Sequence, residues 1–208
     1  MEDWSYIEEC IETEIQKIFK LYPMHTMSDY ERRKSIFDYL TKRIIYDDAK
    51  LQELKDAELN KTPVRRNPKE ELLSVVDFQF GICNGISQYY KLLLERIGIE
   101  SHCVIVDDGT EINHQLVVVY NNESNSYSFD DVTSVVVGKG TQEEYFDYDV
   151  EQANRLGQGN KPVFEEQKFF ILPEEYINFV VGRTQSPTPT LQQLPENVKP
   201  VNKKGNSK

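Results

Sequence analysis

One stretch, residues 80–98, constrains this chain more tightly than any other. Gly81 and Gly85 bracket Cys83, and after them Ile86, Tyr90, Leu93, Leu94 and Ile97 recur at helical spacing. That spacing predicts a helix with one apolar face, closed by Gly98 in the left-handed conformation that ends many helices. Cys83 then stands in the first helical turn, where unpaired amide N–H groups and the positive end of the macrodipole favour thiolate over thiol. Glycines on both sides leave room for a substrate backbone to approach the sulfur. The competing reading is a small buried thiol on a core helix, the commonest fate of a free cysteine.

The residues before this stretch supply helical partners for it. Trp4, Ile7, Ile11, Ile15 and Ile18 form the apolar stripe of a helix over residues 4–21, ended by Tyr22 and Pro23. Ser28 and Glu31 have the spacing of a capping box, and Ile36, Phe37, Leu40 and Ile44 mark the core face of a second helix that stops at Ile45-Tyr46-Asp47. Residues 47–66 are polar and poorly periodic and read as a surface excursion. Asn67 as N-cap, Pro68 at the first helical position and Glu70 in the first turn predict a short helix from Pro68 to about Val76.

After Gly98 the period falls to two. Residues 103–106, 114–120 and 127–133 read as strands joined by turns at 107–110 and 121–125, an antiparallel meander that the Cys83 helix must cover on one face. Residues 138–167 hold little period beyond a short helix near 143–156. A further strand is expected at 169–172 and a short helix from Pro173. Beyond Gly182 the chain is Thr, Ser, Pro, Gln, Asn and Lys, too poor in apolar groups to order itself, and is read as a disordered tail. The expected organisation is therefore α+β: one domain over residues 1–182, with the tail at 183–208.

Charge narrows the partners. The net charge is −11, and from Arg183 onward five basic residues face one acid, so the preceding body is more acidic than the whole. Such a body repels nucleic acid and anionic lipid and suits basic or amine-bearing partners. The acidic start Met1-Glu2-Asp3-Trp4 lacks the basic and apolar regions of a secretory leader, and no apolar run approaches membrane-spanning length, so the expectation is a soluble, intracellular protein. The cysteines, Cys10, Cys83 and Cys103, form no CxxC pair, which argues against a disulfide framework or a cysteine zinc site.

The chemistry-bearing residues come in the order Cys83 at a helix start, His114 at the beginning of a strand and Asp131 near the end of the next. Neighbouring antiparallel strands can bring His114 and a following aspartate to one rim of the sheet; a helix N-terminus facing that rim adds the thiol. The result is a nucleophile, a base and an orienting carboxylate, needing neither metal nor cofactor. His102 is a rival base without a carboxylate at hairpin spacing. Asp130 and Asp131 alternate faces, so only one can meet His114. A zinc site from Cys83, His102, Cys103 and His114 lacks ligand spacing.

These motifs resemble the transglutaminase-like superfamily of papain-like cysteine enzymes. The likeness lies in Gly81-Ile82-Cys83-Asn84-Gly85 with its helix and Gly98-Ile99, in His114 opening a strand, and in Asp131-Val132-Thr133 at the place of an Asp-x-Thr motif. The helix ending at Ile45-Tyr46 is similar to the one preceding that family's core, so the resemblance covers about residues 34–134. It implies Cys83 as nucleophile, His114 as base and Asp131, rather than Asp130, as orienting acid. Ile86-Ser87 and Gln115-Leu116 depart from the residues common there and bear on substrate class.

The function expected is a cysteine enzyme acting on protein or peptide amides through a thioester. Water as acceptor makes it a protease or deamidase, and an amine makes it a crosslinking enzyme. The oxyanion would meet the Cys83 backbone N–H and a second donor, with Tyr46, Asn84 and Gln88 as unranked candidates. A papain-like cell-wall endopeptidase and an arylamine acetyltransferase share a similar residue order, but the expected absence of a leader disfavours the first, and the lack of an Arg-Gly-Gly-x-Cys motif the second. The alternative from another class is a degenerate transglutaminase-like fold kept as a peptide-binding module.

Overall fold

In the computed structural model, residues 2–64, 66–106, 114–121, 126–149, 151, 152 and 155 are described. Helix α1 (Glu2–Leu21) buries Ile7, Ile11, Ile15 and Ile18 as its stripe requires. Trp4 does not join them: it is half exposed, with the Lys69 ammonium 5.9 Å from its ring centroid. After a single 3-10 turn at Met24–Thr26, α2 (Asp29–Thr41) opens on Ser28, whose side chain accepts from the Glu31 N–H while the Glu31 carboxylate accepts from the Ser28 N–H. Two of the backbone donors at that helix start are thereby satisfied.

Two elements escape the periodicity. Strand β1 (Ile45–Tyr46) pairs in parallel with β2 (Phe80–Gly81), Tyr46 opposite Gly81. Residues expected to form an irregular excursion instead hold α3 (Asp48–Leu59), capped by the Asp47 side chain accepting from the Lys50 N–H at 2.8 Å. Only Leu54 of this helix is buried, so it has no stripe for the pattern to register. Helix α4 (Pro68–Phe78) starts as expected, with the Asn67 side chain accepting from the Lys69 N–H, and ends at Gln79 in the left-handed conformation (φ 53°). That reversal feeds the chain into β2 and thence into α5.

Helix α5 (Cys83–Arg96) is the centre of the described residues. It packs against α1, α2 and α4 and against the sheet formed by β3 (Ser101–Val106), β4 (His114–Asn121) and β5 (Ser126–Asp130). Ile86, Tyr90, Leu93 and Leu94 are fully buried, the three aliphatic side chains contributing about 1.5–3 kcal/mol each. Its end is a Schellman closure: the Ile99 N–H donates to Leu94 O at 2.9 Å and the Gly98 N–H to Glu95 O at 3.0 Å, with Gly98 at φ +83°.

The sheet runs in the order β3-β4-β5, antiparallel throughout, with Val106 opposite His114 and Val117 opposite Asp130. The third strand is shorter than expected. It stops at Asp130, and Asp131 becomes the N-cap of α6 (Val132–Val136), so the register places His114 beyond the end of β5. Where a helix near 143–156 is expected, α7 (Gln142–Tyr145) is a single turn, Tyr148 bridges to Phe129, and Glu151, Gln152 and Arg155 are again helical, while 150, 153, 154 and 156 lie outside the described residues. The turn at 107–110, most of the one at 121–125, the strand at 169–172, the helix from Pro173 and the tail at 183–208 lie outside the described residues. Among the described residues, no helix is long and apolar enough to cross a membrane.

Candidate active site

Cys83 is the first residue of α5. Its N-cap, Ile82, has no capping side chain, so the first-turn amides keep their hydrogen-bonding capacity. Cys83 is buried (8% exposed) at the junction of α5 and the start of β4. That junction is tied by the Ser87 hydroxyl donating to Gln115 O at 2.9 Å and by the Gln115 side-chain N–H reaching Asn84 O at 3.5 Å. His114, one residue before Gln115, is thereby held against the helix start.

His114 Nε2 lies 2.8 Å from Asp131 Oδ2. With Nε2 engaged there, Nδ1 is the ring nitrogen left for the Cys83 thiol, whose ionisation the same imidazole favours. The carboxylate of Asp131 is itself fixed: Ser134 N–H donates to Oδ1 at 3.0 Å and the Ser134 hydroxyl to Oδ2 at 2.6 Å.

Each ionisation is opposed by burial and driven by its neighbours. Burial pushes the Cys83 thiol up, but the hydrogen bond and charge of His114, the Gln115 backbone N–H and the Arg66 charge bring it below the usual cysteine range. Burial likewise works against the imidazolium, yet the Asp131 carboxylate and Cys83 hold His114 well above the ordinary histidine value. Burial would raise Asp131; His114 and Ser134 hold it below the usual carboxylate range. The state this favours is a thiolate–imidazolium pair backed by a carboxylate.

The rival residues sit elsewhere. His102 Nε2 is 3.7 Å from Glu100 Oε1, and burial with the nearby Lys91 charge lowers its affinity for a proton. Asp130 is wholly buried and faces away from His114, accepting from the Tyr90 hydroxyl at 2.8 Å and the Asp147 N–H at 2.8 Å, with Arg33 Nε 3.3 Å away. Burial pushes the Cys103 thiol up to about 12. Among the described residues, no group of three or more His, Cys, Asp or Glu side chains is placed to hold a metal ion.

The flanking glycines have a different use from the one their spacing suggests. A Cβ on Gly85 would lie 2.3 Å from Glu71 O, and one on Gly81 would lie 2.6 Å from Val75 Cγ2. Gly85 lets the α4 backbone pack close on α5 and Gly81 makes room for the Val75 side chain, so both spaces are occupied by the protein itself. Of the candidate oxyanion donors, Asn84 gives its Nδ2 to Glu71 Oε2 (2.5 Å) and Gln88 gives its Nε2 to Asn84 Oδ1 (2.7 Å). Tyr46, set by the β1–β2 pair opposite Gly81, has no hydrogen-bond partner for its hydroxyl among the described residues. Burial, then the Cys83 and acidic charges around it, hold that hydroxyl protonated above the usual tyrosine range.

Two roles at the site were not read from the sequence. One is that of Gln115, marked in the sequence only as a departure, whose backbone and side chain both serve the helix start. The other is that of Arg66, held to Glu71 through Nε (3.0 Å) and Nη2 (2.8 Å). Asn67 and Pro68, which announce α4, are the local signal that Arg66 precedes a helix packing on α5.

No family model matches this chain, and no curated protein matches it. Among solved structures, one described as "Crystal structure of a TGase" is similar over 64% of this chain and 33% of that chain, at 19% sequence identity and a TM-score of 0.49. The chain thus spans about a third of the length of that structure.

Proposed function

We propose that this protein is a transglutaminase-like cysteine enzyme that acts on carboxamide or peptide bonds through a Cys83 thioester. The observation that carries this reading is the imidazole of His114, held to Asp131 at 2.8 Å through Nε2 and placed at the start of the Cys83 helix, where it favours the thiolate. A thiolate made at the start of a 14-residue helix attacks the carbonyl carbon. The tetrahedral oxyanion is met by the Cys83 backbone N–H and, in this proposal, the Tyr46 hydroxyl. The His114 imidazolium gives its proton to the departing nitrogen, so ammonia or an amine leaves and the thioester remains. Neutral His114 then takes a proton from water or from an acceptor amine as that nucleophile attacks the thioester. Collapse restores the thiolate–imidazolium pair and releases an acid or a new amide.

The test is mass spectrometry of the protein incubated with glutamine-bearing peptides and a labelled primary amine. A thioester adduct on Cys83, with deamidated or amine-labelled peptide that disappears in Cys83→Ala, is the expected result. Peptide binding with no chemistry, together with a Cys83 no more reactive than Cys10 or Cys103, would instead favour a degenerate fold that serves as a binding module.

A further inference from the structure

The geometry points to a second recognition element at this site: Arg66 is a specificity-determining anchor for a carboxylate on the substrate, so that the preferred acyl donor is an acidic peptide. This inference rests on the proposed thioester chemistry of Cys83 and deepens it.

The argument begins with Glu71. Its carboxylate is nearly buried, with a side-chain exposure of 9%, whereas the Arg66 side chain above it is 39% exposed. Both Glu71 oxygens are committed, to Arg66 Nε and Nη2 at 3.0 and 2.8 Å and to Asn84 Nδ2 at 2.5 Å. The anion of the pair therefore faces inward and the cation outward. A guanidinium carries five N–H donors, and the fork to Glu71 uses two. The other three have no partner among the described residues.

The same chain of bonds fixes where the cation sits. Asn84 follows Cys83 in the first turn of α5, and the Glu71 backbone abuts Gly85, so Arg66 is two hydrogen bonds from the neighbour of the nucleophile. Its charge is felt at the Cys83 sulfur and at Tyr46. Glu71 occupies one edge of the guanidinium, and the side chain stays 39% exposed within electrostatic reach of the thiol. A planar donor edge held rigid by its other side is suited to a carboxylate.

Two matched pairs of thiol traps test this without knowledge of the substrate. Iodoacetate and iodoacetamide differ in little but charge, as do peptidyl chloromethyl ketones bearing Glu or Gln beside the reactive group. Both members of a pair draw on the same thiolate, so its ionisation cancels from the ratio of their rates on Cys83. The expected result is a preference for the anionic trap that falls about threefold to fivefold in Arg66→Gln, the scale of an exposed ion pair, and is largely kept in Arg66→Lys. Arg66→Gln retains a donor for Glu71, and its circular dichroism spectrum checks that the fold survives. An unchanged ratio in Arg66→Gln overturns the assignment. A preference seen with iodoacetate and absent from the Glu trap overturns the acidic side chain as ligand and leaves a free carboxylate terminus. Failure of the thioester chemistry itself would appear separately, as slow alkylation by neutral iodoacetamide that His114→Ala does not alter.

Discussion

The Asp131 carboxylate serves two elements at once: Oδ2 lies 2.8 Å from His114 Nε2, while Oδ1 accepts the Ser134 N–H at 3.0 Å and caps α6. Orientation of the base and the start of a helix depend on one side chain. Asparagine caps as well as aspartate but carries no charge to support an imidazolium. Asp131→Asn is therefore expected to keep the far-ultraviolet circular dichroism of the parent while lowering turnover by up to about 10⁴-fold. Asp131→Ala should also lose about 1 kcal/mol of stability with the cap. Equal stability losses in the two variants would show that charge, rather than capping, holds α6.

The triad residues should also fail together. Groups acting as a unit lose most of their benefit at the first deletion. Adding Asp131→Asn to His114→Ala should hardly slow turnover beyond His114→Ala alone, measured as thioester formation in a single turnover. Multiplicative losses would mean that the carboxylate acts independently of the imidazole.

The pH dependence has a definite sign. With Cys83 lowered and His114 raised, the reactive ion pair exists between the two, so iodoacetamide labelling of Cys83 should persist well below the free-thiol midpoint of about 8.5. In His114→Ala the labelling midpoint should move upward, because burial is then opposed chiefly by Gln115 and Arg66. For stability, a raised His114 contributes fully below its unfolded value of about 6.5, and the contribution fades as pH climbs through the higher folded value. A lowered Asp131 contributes above about 3.9 and fades as pH falls through its folded value. Melting temperatures of parent and His114→Ala across pH should differ most between those limits; a constant difference would contradict the linkage.

Gly85→Ala offers a test by sign. In an open helix this change stabilises by about 1 kcal/mol. Here the new Cβ would lie 2.3 Å from Glu71 O, a backbone atom that can yield only if α4 moves. A net loss of about 1–3 kcal/mol in chemical denaturation is expected. Any gain would mean that α4 is not seated on α5 as described. Gly98→Ala meets nothing within 4 Å and should suffer only the left-handed strain of about 1 kcal/mol.

Asp130 should behave unlike its neighbour. It is buried with Arg33, which also pairs with Asp147 and donates to the Ser128 hydroxyl at 3.1 Å. Asp130→Ala strands part of a buried charge and should cost about 3 kcal/mol of stability, measured by urea titration. Where the variant is folded, Cys83 labelling should keep its pH profile. A shifted profile with normal stability would move the orienting role from Asp131 to Asp130.

Local pattern carried much of this protein. Three- and four-residue spacing defined α1, α2 and α5, Ser28 and Asn67 announced their helices, and Gly98 closed α5 because each signal depends on neighbours within a turn or two. The same locality placed Cys83 at a helix start and His114 at a strand start.

Other features depend on residues distant in sequence, and only the tertiary structure decided them. Parallel pairing of Ile45-Tyr46 with Phe80-Gly81 has no local signature, and it is what carries Tyr46 to the helix start. Strand β5 stops at Asp130 because the Asp131 N–H donates to Tyr145 O and its side chain turns to Ser134, a choice invisible to an alternating pattern. Helix α3 hides because a single buried leucine makes no stripe. The glycines around Cys83 looked like clearance for a substrate until the α4 backbone and the Val75 side chain filled it, and Arg66 is linked to the neighbour of the thiol only through Glu71 and Asn84. Periodicity reports which face of an element is apolar; which element arrives at that face, and what it leaves exposed, is settled by packing.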